Sequence, residues 1–118
     1  MRPDRTCADY LQDIVENIDK ALQFVRDVSK EEFLSNEEKR YAAVRALEII
    51  GEAARHVPQN VREKHPQVPW REMTGMRDVL IHGYFGVNPH VLWRTIHEDL
   101  PPARESVKAV LLGIEGRT

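Results

Sequence analysis

The chain has 118 residues, of which 42% are hydrophobic and 31% charged, with a net charge of −2. That length fits one domain, residues 1–118, and the apolar content is too high for a disordered chain. A slightly acidic balance excludes a global positive field, so any contact with nucleic acid has to be local.

No apolar run approaches the roughly 20 residues needed to cross a bilayer, and the N-terminal MRPDRTCADY lacks the apolar stretch of a secretion signal. The expectation is a cytoplasmic protein without membrane contact. The single cysteine, Cys7, offers neither an intramolecular disulfide nor a thiol pair, and reads as a structural bystander. Charge is unevenly spread: residues 1–59 carry nine Lys/Arg against twelve Asp/Glu, and residues 60–118 carry eight against seven. The second half is therefore the better place to seek an anionic ligand.

From about Thr6 to Asp27 the apolar residues Tyr10, Leu11, Ile14, Ile18, Leu22 and Val25 recur every three or four positions, the stripe of a long amphipathic helix. The polar stretch SKEEFLSNEEKR follows, with Ser35 or Asn36 as N-cap of a second long helix that carries Tyr41, Val44, Leu47, Ile50, Ala54 and Val57 until Pro58 stops it. Two such helices joined by a short link are expected to pack antiparallel. Pro58, Pro66 and Pro69 leave room only for a helical turn over Gln59 to His65. A third helix is predicted from Trp70 to a C-cap at Gly83. After the turn GYFGV, Asn88 and Pro89 open a helix through Val91, Leu92, Ile96 and Leu100. Pro101 and Pro102 either kink it or start a last helix with Val107, Val110 and Leu111 inward. There is no two-residue period, repeat or low-complexity tract, so the sum is an all-α bundle of four to five helices.

The chemistry concentrates in RDVLIHGY, residues 77–84. On a regular helix Asp78 and His82 share a face, and the carboxylate can fix the imidazole tautomer. Arg77 and His82, five apart, fall roughly 140° apart at about 100° per residue. Bringing both to one phosphate requires a break near Gly83 or a second chain, and a two-fold dimer with these helix ends at its seam supplies two of each. RNA carries its own nucleophile in the 2′-hydroxyl, so such a cluster needs no metal: His82 moves the proton and Arg77 holds the phosphate, leaving a 2′,3′-cyclic phosphate. The spacing alone favours a surface ion pair of Arg77 with Glu72 or Asp78 and a His82 that merely closes a helix C-terminus.

The segment MRDVLIHGYFGV, with PWREMTGM before it and a helix ending in HEDLPP after it, closely resembles the HepT-like HEPN proteins, as does ALEIIGEAARHVP upstream. The resemblance covers nearly the whole chain. It implies an all-α HEPN bundle that forms a homodimer and sets an Arg-x-x-x-x-His motif from each subunit in a shared cleft. It further implies a metal-independent ribonuclease without cofactor, the toxin of a type VII HEPN/MNT toxin–antitoxin module. Arg77 and His82 match the motif, and Asp78 takes the polar position after the arginine. Tyr84 matches the family tyrosine onto which an MNT-type nucleotidyltransferase antitoxin transfers AMP, placing charge and bulk where RNA phosphate binds. Unmodified, Tyr84 is free to stack on a base or to anchor the turn. A reading from a different class is a non-catalytic helical binding module that accompanies a minimal nucleotidyltransferase.

Other clusters read as structural. His90 and His97, two turns apart, are too distant to share one metal ion, and no metal site is expected. Glu48 and Glu52 with Arg45 and Arg55 suggest a salt-bridged helix face. Glycine-rich phosphate loops are absent.

Overall fold

The computed structural model describes residues 5–82, 88–114 and 116, save for the side chains of residues 77–82. All regular structure among the described residues is helical. Helix α1 (Cys7–Phe24) opens on a capping box: the Thr6 hydroxyl accepts from the Asp9 N–H at 3.2 Å, and the Asp9 carboxylate accepts from the Thr6 N–H at 2.9 Å. Amides that the helical ladder leaves unpaired are thereby satisfied. Leu11, Ile14, Val15, Ile18 and Ala21 are buried along one stripe. Asn17, buried beside them, donates its amide to the Asp13 carbonyl at 2.9 Å. The helix ends at Phe24, three residues short of the predicted Asp27. Asp27 itself takes φ 58°, a left-handed conformation that a short polar side chain tolerates better than most.

The polar stretch that follows is not a plain linker. It holds a short helix, α2 (Lys30–Ser35), capped by Ser29, whose hydroxyl accepts from the Glu32 N–H at 3.1 Å. Phe33 anchors it, fully buried. Asn36 rather than Ser35 caps α3 (Glu37–Arg55), its Oδ1 accepting from the Lys39 N–H at 3.0 Å. Removing that acceptor in Asn36→Ala is expected to cost about 1 kcal/mol, read as a lower urea midpoint at unchanged slope.

Helices α1 and α3 run antiparallel, as two contacts at opposite ends demonstrate. Lys39, at the start of α3, donates its ammonium to the carbonyl of Phe24 at the end of α1 (3.4 Å). Tyr10, near the start of α1, stacks on His56 just past α3, with ring centroids 4.9 Å apart. Between them Ala43, Ala46, Ala53, Ala54 and Gly51 are buried, small residues that let the two backbones approach closely. Leu47 and Ile50 fill the remaining space against the α1 stripe. Each such side chain contributes about 1.5–3 kcal/mol through its removal from water.

The proline-rich connector carries α4 (Gln59–Lys64), within the predicted turn. Arg62 donates to the Val57 carbonyl at 3.0 Å, and the indole N–H of Trp70 donates to the His65 carbonyl at 2.9 Å. The buried tryptophan thus locks the connector onto the start of α5 (Trp70–His82), which packs on α3.

Asn88 caps α6 (Pro89–Arg94), its Oδ1 accepting from the His90 N–H at 2.9 Å, with Pro89 in the first turn as predicted. The chain then stays helical through both prolines into α7 (Leu100–Ile114), which settles the alternatives left open for Pro101 and Pro102. What changes is the register. Thr95–Asp99 is a π-helical turn in which the Leu100 N–H bonds to the Thr95 carbonyl, five residues back. Pro101 and Pro102 cannot donate to the carbonyls of His97 and Glu98, and their rings press on those carbonyls, so a wider turn just before them relieves the conflict. Leu100, Ala103, Val107, Val110 and Leu111 of α7 then close the core. Arg104 is tied to Asp19 of α1 at 2.5 Å, and that hydrogen bond raises the guanidinium pKa further, keeping the charge fixed.

Candidate functional site

Helix α5 positions the motif. Trp70 and Met73 are buried on its inner side, Met76 packs partly against the same core, and α3 is the element beneath them. The backbone stays α-helical from Trp70 to His82, so no break intervenes between positions 77 and 82. The five-residue step then carries a rise of about 7.5 Å and a rotation of about 140°. Counted from Met73, position 77 lies about 40° round the axis, position 78 about 140° and position 82 about 180°. Helical spacing therefore sets positions 78 and 82 on one side of the axis and position 77 apart from both. The side chains of these three residues lie outside the described set, as do Gly83, Tyr84 and the GYFGV turn.

Elsewhere the sequence reading can be followed to atoms. The acidic pair on α3 is a charged surface: Arg45 lies 3.8 Å from Glu48, and His56 lies 3.2 Å from Glu52. Cys7 is half-buried against the core, and burial pushes its thiol pKa up, away from nucleophile duty. Among the described residues no group of three or more His, Cys, Asp or Glu is placed to hold a metal ion. No described helix is long and apolar enough to cross a membrane.

The sequence reading weighed His90 and His97 only as a metal pair and did not group them with Lys30, Trp93 and Arg94. Lys30, on the unforeseen α2, and His90, Trp93, Arg94 and His97, on α6 and the π turn, line a common cleft. A Ser-x-x-Glu capping pattern at Ser29–Glu32 was the available signal for α2. No sequence signal marks the π turn beyond the Pro101–Pro102 pair.

Comparison with known proteins places this architecture. The family model described as "Ribonuclease HepT-like" matches residues 14–110. A "Probable ribonuclease HepT" of Thermococcus cleftensis is 50% identical over 97 residues, covering 82% of this chain and 88% of that protein. A "Putative RNase" of Methanocaldococcus jannaschii is 46% identical over 101 residues, covering 86% and 93%. Another protein so named, from Caldanaerobacter subterraneus, is 43% identical over 107 residues, covering 91% and 96%. No solved structure matches. The fold is thus an all-α bundle of the ribonuclease class, and the chain belongs to the HepT-like ribonuclease family.

Proposed function

We propose that the protein is a metal-independent endoribonuclease that works as a homodimer and serves as the toxin of a HEPN/MNT toxin–antitoxin module. The observation that carries this reading is the family match over residues 14–110 with the Arg77–His82 spacing inside it. The register of α5 supports the dimer. An unbroken helix sets positions 77 and 82 about 140° apart, so one phosphate is reached by both groups when a second copy supplies one of them.

In the proposed reaction an imidazole from one His82 accepts the proton of a 2′-hydroxyl as its oxygen attacks the adjacent phosphorus. The bond from phosphorus to the 5′-oxygen breaks, and that oxygen takes the proton from the same imidazolium, which restores the neutral ring. A 2′,3′-cyclic phosphate and a 5′-hydroxyl result. Arg77 binds the phosphate oxygens where charge builds up, and Asp78 orients the His82 ring. Incubation of purified protein with RNA in EDTA is expected to yield these ends with the wild type and none with His82→Ala. Equal cleavage by both would remove His82 from the chemistry.

Tyr84 is the proposed off-switch, accepting AMP from ATP through a partner nucleotidyltransferase of the MNT type, with pyrophosphate released. Two negative steps follow from one modification: added bulk, and added charge beside an anion-binding site. Co-expression with such a partner is expected to give AMP-sized mass additions that vanish in Tyr84→Phe.

A further inference from the structure

The cleft between α2 and α6 measures about 440 Å³ and is lined by Lys30, Asn88, His90, Trp93, Arg94 and His97. In a chain of net charge −2 it gathers two permanent cations and two imidazoles round one indole, with Glu98 as an acid at its edge. Neither Lys30 nor Arg94 forms an ion pair among the described residues. Both stand exposed.

The aromatic part is held in place. Phe33 supports Trp93 from the core, with centroids 5.3 Å apart, and the His97 imidazole lies 3.9 Å from the indole centroid. The Nδ1 atom of His97 is 2.9 Å from the Trp93 carbonyl. A carbonyl only accepts, so Nδ1 carries the hydrogen and Nε2 remains the open atom of the ring. This pairing sits at the π turn imposed by Pro101 and Pro102, and such turns recur at functional positions.

We infer that this cleft is a subsite for one nucleotide of single-stranded RNA, separate from the cleaving residues. Lys30 and Arg94 take the phosphate, and the base lies against the Trp93–His97 pair. Basic groups tracking a backbone beside an aromatic surface are what single-strand binding requires, and the volume suits a nucleotide. Only five residues separate His82 from Asn88, at most about 20 Å of chain, so the occupant and the cleaved phosphate belong to one short strand. The inference takes its substrate class from the ribonuclease reading but uses none of Arg77, Asp78, His82 or Tyr84.

The test is titration of the wild type and Lys30→Ser/Arg94→Ser with a fluorescent 2′-O-methyl oligoribonucleotide of roughly ten nucleotides, which lacks the nucleophile. The double variant is expected to bind about tenfold more weakly or worse at low salt. Its log K against log salt slope should be shallower by about 0.7, the loss of one neutralised single-strand phosphate. Lys108→Ser, an exposed change on α7, shows the effect of losing one positive charge away from the cleft. His97→Asn tests the aromatic side and should weaken binding without altering the slope. In cleavage, the double variant should raise KM for a cleavable decamer at unchanged kcat and leave a dinucleotide unaffected. Unchanged affinity and slope overturn the subsite even if RNA is cut. Loss of decamer binding in a protein that cuts neither substrate keeps the subsite and discards the ribonuclease reading instead.

Discussion

Mixing two inactive variants is expected to restore ribonuclease activity. In the proposed mechanism His82→Ala removes the proton-transfer group, an expected loss of about 10²- to 10⁴-fold. Arg77→Ala removes the group proposed to hold the developing charge, an expected loss of about 10²- to 10³-fold. Each homodimer alone should be nearly silent in EDTA. The register of α5 makes the mixture informative, because an unbroken helix from Trp70 to His82 turns positions 77 and 82 away from each other. If Arg77 of one subunit serves His82 of the other, a mixed dimer contains one complete site and one doubly damaged site. Equal amounts under free exchange make half of all dimers mixed, so about a quarter of wild-type activity should return. Recovery absent despite demonstrated subunit exchange would place both groups of a site on one chain. The EDTA control separates this chemistry from a contaminating metal-dependent nuclease.

Legibility in the sequence followed helix length. Long helices such as α1 and α3 display five or more buried positions at regular spacing, and their caps at Thr6 and Asn36 are residues with a known geometric reason to be there. Their antiparallel packing followed from length and a short link. The six-residue α2 offers a single fully buried apolar residue, Phe33, and fewer than two turns, so no period can be counted. The π turn was hidden for another reason. Pro101 and Pro102 announce a disturbance, but whether the chain breaks, kinks or slips in register depends on packing around Ile96 and Leu100, both buried. The motif itself was readable as three polar residues at a helix end and as a family likeness. Its helical register was legible too, since that depends only on spacing. The cleft was not, because it joins Lys30 to Arg94 across 64 positions of chain through two elements that the periodicity could not define.

Those same hidden elements predict the largest single loss of stability. Phe33→Ala is expected to destabilise the protein by about 3–5 kcal/mol, combining the lost transfer free energy of the ring with the cavity left behind. For a domain of this size that corresponds to a fall in Tm of roughly 10–20 °C. The side chain is fully buried, and it tethers α2 to both the main core and the Trp93 ring at 5.3 Å. An exposed change on the same helix, Glu31→Ala, should stay within about 0.5 kcal/mol. Urea unfolding of both variants measures the difference, and a cost below about 1 kcal/mol for Phe33→Ala would mean that α2 is docked loosely. Function enters through the same contact. With Phe33 gone, the indole of Trp93 loses its ring contact with α2, and Lys30 loses the buried anchor of its helix. RNA affinity should then fall at temperatures where the chain is still folded, while dinucleotide cleavage at the α5 site continues. That separation ties the stability of a six-residue helix to substrate capture rather than to the chemical step.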